Sequence, residues 1–199
     1  MKISVCIATY RRQERLSLRP DDLVKQEFLP DEMAVVDNDA TGNARKVVEK
    51  RIELGASFPG HYDIQPVKII SLTRNRTVTL VSGAWVAFID DGARAPAPWP
   101  NQLTKTVIKS SADGALEPVV PIVPLETPDW IQRSDFYDWS RMETREEVPL
   151  NKVRFGNLIL RGNILRTSPQ PLDTSCALTG GEDRDPLMRL AQQGAYCVV

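Results

Sequence analysis

The chain has 199 residues, 42% of them hydrophobic and 26% charged, with a formal net charge of −1. That length suits one domain with a full core, and the balance of charge disfavours general nucleic-acid binding, which wants a basic surface. No apolar run approaches the roughly 20 residues needed to cross a bilayer, and the apolar start stops at Ala8, too short for a secretory leader.

In chain order the pattern alternates between strand and helix. Residues 3–8 form a short apolar run rich in branched side chains, as in a strand buried on both faces. Residues 11–28 read as helical, with Pro20 interrupting the helix or starting a fresh one at Asp21-Asp22. A second strand over 33–36 runs out into Asp37-Asn38-Asp39, and Thr41 caps a helix reaching Glu53. Residues 55–65 read as a loop carrying the single histidine, His61, for which a plain loop role is expected. A third strand is expected over 67–70, a helix over 72–82, a fourth strand over 85–89 and a helix over 101–110. Residues 119–123 read as a further strand, broken by prolines. A hairpin is expected within 153–166 with its turn at Gly162-Asn163, then a short helix from Asp183 to Gln193 and a terminal strand over 195–199. This order predicts an α/β fold with a mainly parallel central sheet flanked by helices. The odd set Cys6, Cys176 and Cys197 indicates reduced thiols, not a disulfide framework or zinc site.

Residues 89–93, Ile-Asp-Asp-Gly-Ala, carry the most chemical information. Two carboxylates, Asp90 and Asp91, fall where a buried strand ends, and open α/β sheets bind ligands at the carboxyl ends of their strands. Paired carboxylates there suit Mg²⁺ or Mn²⁺ carrying a diphosphate. Gly92 stands where a third carboxylate would strengthen such a site, so the expected metal site is weakened. There is no Gly-x-Gly-x-x-Gly after the first strand and no Gly-Lys-Ser/Thr loop, which disfavours dinucleotide and P-loop folds.

The segments SVCIATYRR (4–12), VVDND (35–39), ISLTRNR (70–76), WVAFIDDG (85–92), FGNLILR (155–161) and TGGEDRD (179–185) occur in this order. Together they resemble the motifs of family 2 glycosyltransferases with the GT-A fold, especially bacterial exopolysaccharide enzymes of the succinoglycan-biosynthesis type. The resemblance implies an inverting glycosyltransferase of hexosyltransferase type, acting in polysaccharide or glycolipid biosynthesis. It implies a UDP-sugar or other nucleotide-sugar donor and a saccharide or lipid-linked saccharide acceptor. It also implies a cytoplasmic setting with peripheral association at the inner face of the membrane. Residues 1–92 would form a nucleotide-binding half and 93–199 an acceptor-side half, C-terminally short beside such relatives.

By the same resemblance Thr9, Tyr10, Asp37, Asp39, Arg74, Asn75 and Asp90 bind the nucleotide. Asp90 and Asp91 face the metal. Asp183 is the general base, taking the proton of the acceptor hydroxyl, and Glu182 orients a sugar. Gly156, Asn157, Gly180 and Gly181 flank the acceptor. Plainer readings stand beside these. Tyr10 can pack on the sheet edge, and Asp37, Asp39 and Thr41 can hold a strand-to-helix turn. Glu182 and Asp183 can simply favour a helix N-terminus. Trp130, Phe136, Tyr137 and Trp139 serve equally as core or as a sugar platform. Gly92 also admits a reading of another class, a non-catalytic nucleotide-binding or interaction domain descended from such an enzyme.

Overall fold

The computed structural model describes residues 1–16, 19–53, 57–134, 143, 145–148, 155–175, 181, 185–192 and 194–199. Its strands are β1 (Ile3–Thr9), β2 (Glu32–Asp37), β3 (Gly60–Ile64), β4 (Trp85–Ile89), β5 (Gly114–Leu116), β6 (Asn157–Arg161) and β7 (Cys197–Val198). They form one sheet in the order β3-β2-β1-β4-β6-β5-β7. The first four are mutually parallel, while β6 runs antiparallel to both β4 and β5.

The helices are α1 (Gln13–Leu16), α2 (Arg19–Val24), α3 (Arg45–Glu53), α4 (Ile70–Thr79), α5 (Trp99–Ser110), α6 (Asp129–Gln132), α7 (Gly162–Leu165) and α8 (Asp185–Gln192). They cover both faces of the sheet, and strand alternation decides which side chain meets which layer. Ile3, Val5 and Ile7 pack with Leu16, Leu23, Val48, Leu103 and Val107, from α1, α2, α3 and α5. Cys6, Val86, Phe88 and Leu160 pack on the other side with Val78, Leu165 and Leu187, from α4, α7 and α8. Each fully buried Leu or Ile in these clusters is worth roughly 1.5–3 kcal/mol over its exposed state. Among the described residues, no helix is long and apolar enough to cross a membrane. Burial pushes the Cys6 thiol up to about 12, with the Thr77 hydroxyl pulling the other way.

Four sequence expectations are corrected. The third parallel strand is Gly60–Ile64, within the expected loop, and includes His61, which pairs with Ala34. Residues 67–69 instead lead into α4, which starts at Ile70. Val119, Val120 and Ile122, expected in a strand, are 52%, 63% and 78% exposed; Pro118, Pro121 and Pro124 lack the N–H groups a ladder needs. The strand of that region is β5, upstream. No hairpin turn forms at Gly162-Asn163, because these residues open α7.

Smaller differences lie at helix starts. Pro20 is the second residue of α2, in the first turn, where its missing N–H costs nothing. α3 begins at Arg45, so Thr41 lies outside it; the Thr41 hydroxyl donates to Asp39 Oδ1 at 2.9 Å.

Candidate functional site

The carboxyl ends of β1, β2 and β4 open on one edge, and register brings their exits level. Thr9 pairs with Asp37, and β1 and β4 align Cys6 with Phe88, which carries Asp90 and Asp91 to the height of Thr9. The Thr9 hydroxyl donates to Asp91 Oδ2 at 2.9 Å. Because β6 is reversed, its start reaches the same edge, with Asn157 opposite Ile89 and the Asp90 N–H donating to the Gly156 carbonyl at 3.1 Å. A Cβ on Gly156 would lie 2.3 Å from Asp90 Oδ2, so glycine makes room for that carboxylate. Asn157 is fixed by Trp99, whose indole N–H donates to Oδ1 at 2.6 Å, and by its own donation to the Glu117 carbonyl at 3.1 Å.

Asp37 is 1% exposed. Its Oδ1 accepts from the Asp39 N–H at 3.0 Å, and its Oδ2 from the Ala44 N–H and the Tyr62 hydroxyl, each at 3.0 Å. It is the peg of the turn after β2. Burial, and then the charge of Asp37, hold the Tyr62 phenol well above its usual range. Asp39 accepts from Arg11 Nε at 2.7 Å and from the Thr41 N–H at 3.1 Å. The Arg11 bond first, then the two from Thr41, hold its carboxyl down at about 2, so it is ionised at neutral pH. Tyr10 presents a ring flanked by two cations, with the Arg11 guanidinium 5.2 Å and Lys68 Nζ 4.8 Å from its centroid.

Arg74 and Asn75 are the fifth and sixth residues of α4. Arg74 is 8% exposed, with its guanidinium 5.2 Å from the Phe155 ring centroid and Nη2 3.7 Å from Asp90 Oδ1. Asn75 is buried and bonds the backbone of Leu172 in both directions, Nδ2 to its carbonyl at 2.8 Å and Oδ1 from its N–H at 2.9 Å. That arrangement copies a peptide pairing and clips the segment after α7 onto α4.

The acidic pair divides. Asp90 has a side chain 60% exposed, whereas Asp91 is 5% exposed. Both Asp91 oxygens take protein donors, Thr9 on one and Arg12 Nη1 at 3.0 Å on the other. Among the described residues, a Cβ at Gly92 would meet two groups within 4 Å beyond its chain neighbours, Arg15 Nη1 at 3.7 Å and Arg12 Nη1 at 3.8 Å. Downstream, Arg94 makes a two-pronged ion pair with buried Asp22, both bonds 2.8 Å, which ties this loop to α2. A divalent ion needs several converging oxygens. Here one carboxylate is spent on protein donors and the third position faces cations, so these side chains do not fit one. Among the described residues no three His, Cys, Asp or Glu side chains gather as a metal site would require.

Gly181 has a φ of +98, a conformation that favours glycine, and among the described residues nothing comes within 4 Å of where its Cβ would stand. Gly180, Glu182 and Asp183 lie outside the described residues, as do Phe136, Tyr137, Trp139 and Cys176. Trp130 is 67% exposed, in α6. Sequence reading assigned no role to Arg12, Arg15, Tyr62 or Lys68. The basic cluster Arg11-Arg12-Arg15 directly after β1 was the available signal; Lys68 and Tyr62 meet the site only through tertiary contacts.

Solved structures with this fold include S. aureus TarS residues 1–349 in complex with UDP, with a TM-score of 0.73 and 20% identity, covering 100% of this chain and 58% of that one. Another is the mannosyltransferase PcManGT from Pyrobaculum calidifontis in complex with GDP-Man and Mn²⁺, with a TM-score of 0.72 and 15% identity, covering 100% and 54%. They place the chain in the GT-A fold. Among curated proteins, the succinoglycan biosynthesis protein ExoM of Rhizobium meliloti (strain 1021) is 28% identical over 194 residues, covering 93% of this chain. The chain spans 60% of that relative's length. The model of glycosyl transferase family 2 matches residues 4–162, from the first residues of β1 to the start of α7, and the chain belongs to that family.

Proposed function

We propose that the chain transfers a sugar from a nucleoside-diphosphate donor to an acceptor hydroxyl with inversion at the anomeric carbon, in polysaccharide or glycolipid assembly at the inner face of the membrane. The observation that carries this is the single edge on which Tyr10, Asp39, Arg74 and Asp90 meet the start of β6. The neighbours solved with UDP and with GDP-Man support the donor class. The succinoglycan relative supports the pathway class.

In this reading the base stacks on Tyr10 between Arg11 and Lys68, and Thr9 frames the mouth of β1. A base N–H takes the place of the Tyr62 hydroxyl on Asp37, while Asp39 holds Arg11 against the ring. Asp90 accepts from the ribose and is kept in place by Arg74 and by the space at Gly156; Asn75 holds the wall behind Arg74. Gly156, Asn157, Gly180 and Gly181 border the acceptor. Asp183 removes the acceptor proton as the hydroxyl attacks, with Glu182 orienting a sugar. Gly92 and the engaged Asp91 favour a second reading, a nucleotide-binding domain without turnover.

Nucleoside diphosphate release from a panel of UDP- and GDP-sugars, in the parent and in Asp183→Asn, separates the two. The transferase reading expects turnover that falls roughly 10²-fold or more in the variant with nucleotide binding kept. Binding without turnover in the parent selects the second reading.

A further inference from the structure

We propose that the donor diphosphate is held by the guanidinium groups of Arg12 and Arg15 without a divalent cation, an inference that rests on the nucleotide-sugar reading of the same edge. Arg12 and Arg15 bring Nη1 atoms to within 3.8 Å and 3.7 Å of one point, the position a side chain at residue 92 would occupy. Two guanidinium groups converging on one side-chain-sized gap suit an anionic ligand. Gly92 is exposed, and among the described residues, its chain neighbours aside, only these two guanidiniums come within 4 Å of that point.

The gap lies one residue beyond Asp91 and two beyond Asp90, on the edge that collects Tyr10 and Asp39. A ligand whose base stacks on Tyr10 and whose ribose meets Asp90 would bring its phosphates there. The Arg12 side chain is 56% exposed and uses Nη1 on Asp91; a guanidinium has five N–H donors, so the same group can also reach phosphate oxygens. Its planar fork matches those oxygens and its charge is permanent. Asp91 then orients Arg12, a role that explains why its carboxylate turns inward. A metal would stabilise the departing diphosphate as a Lewis acid, and the guanidinium pair supplies the same sign of charge by hydrogen bonding. No bond is made or broken by these residues.

The test is calorimetric titration of the intact chain with UDP, GDP, uridine and guanosine, in EDTA and in Mn²⁺. The variants are Arg15→Gln, Arg12→Gln and Gly92→Asp, each with a thermal melt to establish folding. The expected result is a nucleoside diphosphate that binds equally well in EDTA and Mn²⁺. Arg15→Gln should weaken it about tenfold or more and leave the matching nucleoside unchanged. Gly92→Asp, which puts a carboxylate between the two guanidiniums, should weaken diphosphate binding in EDTA by a similar factor without touching Arg15, so the idea stays testable if an arginine variant fails to fold. Diphosphate binding that requires Mn²⁺ in the parent overturns this inference and leaves the nucleotide-sugar reading standing. Affinity unchanged in folded Arg15→Gln and Gly92→Asp also overturns it. Absence of binding by either nucleoside diphosphate under both conditions overturns the reading on which it rests.

Discussion

Gly156→Ala separates the position of Asp90 from the stability of the fold. The added methyl would lie 2.3 Å from Asp90 Oδ2 and 2.8 Å from its Cγ, about 1 Å inside ordinary contact. The backbone at Gly156 is not left-handed, so alanine meets no torsional obstacle there. Asp90 is short and its side chain 60% exposed, so it can rotate away, at the expense of its 3.7 Å approach to Arg74. Overpacking costs about 1–3 kcal/mol where nothing yields, and the entropy removed from the unfolded chain returns about 0.4–1 kcal/mol. With a neighbour able to turn, the net loss of stability should stay near 1 kcal/mol, a shift of a few degrees in Tm for a chain of this size. Binding should suffer more: displacing the carboxylate proposed to face the ribose should weaken UDP or GDP at least tenfold, equivalent to about 1.4 kcal/mol. Thermal melts and calorimetric titration on the same preparation give both quantities. A folded Gly156→Ala protein that binds as tightly as the parent would refute the claim that Asp90, held where it is, reads the nucleotide.

Asn75→Ala removes both bonds to the Leu172 backbone and leaves a buried N–H and carbonyl without partners; it should cost about 2–4 kcal/mol in urea unfolding, and a loss under 1 kcal/mol would mean the clip is replaceable. Burial raises the Glu117 carboxyl to about 7, well above the usual carboxylate range. The folded state therefore holds a proton that the unfolded state has released, and the resulting stability is full below about pH 4.5 and gone once pH has risen past 7. Glu117→Gln should flatten that decline and raise stability at pH 8 by about 1–2 kcal/mol after allowance for partial exposure; denaturant melts from pH 4 to 8 check it, and an unchanged slope would place the carboxyl in water.

The buried centre of the sheet was legible because parallel strands covered on both faces read as continuous apolar runs. β1, β2 and β4 fall within a residue or so of where the sequence put them. β3 was missed because it is an edge strand, Gly-His-Tyr-Asp-Ile, mostly half-buried, with no run to see. The apolar stretch Val67-Lys68-Ile69-Ile70 drew the assignment to itself, yet only tertiary packing turns Ile70 into a helix start. The prolines around 119–123 were noticed, but an apolar run is weak proof of burial when its backbone cannot join a ladder. At the site, the ends of the apolar runs placed Asp37 and Asp90 on one edge. That pattern gave no hint that Asp91 would face inward, because its orientation depends on an arginine 79 positions away.

β6 has a consequence for how the chain comes together. It enters the sheet between β4 and β5, hydrogen-bonded antiparallel to each, although it is made after both. As the protein emerges from the ribosome, β1 to β4 can associate early, but the open side of β4 has no partner in the ladder until the chain reaches Asn157. Val86 and Phe88 sit on that strand, and Phe88 receives its edge-on neighbour Phe155, 5.0 Å between centroids, in the same late event. An uncovered apolar strand edge is an invitation to pair with another molecule, so the nascent first half needs sheltering for that interval. The step that ends the hazard also delivers Gly156 beneath Asp90, so the open strand edge is covered and the candidate site is assembled in one event.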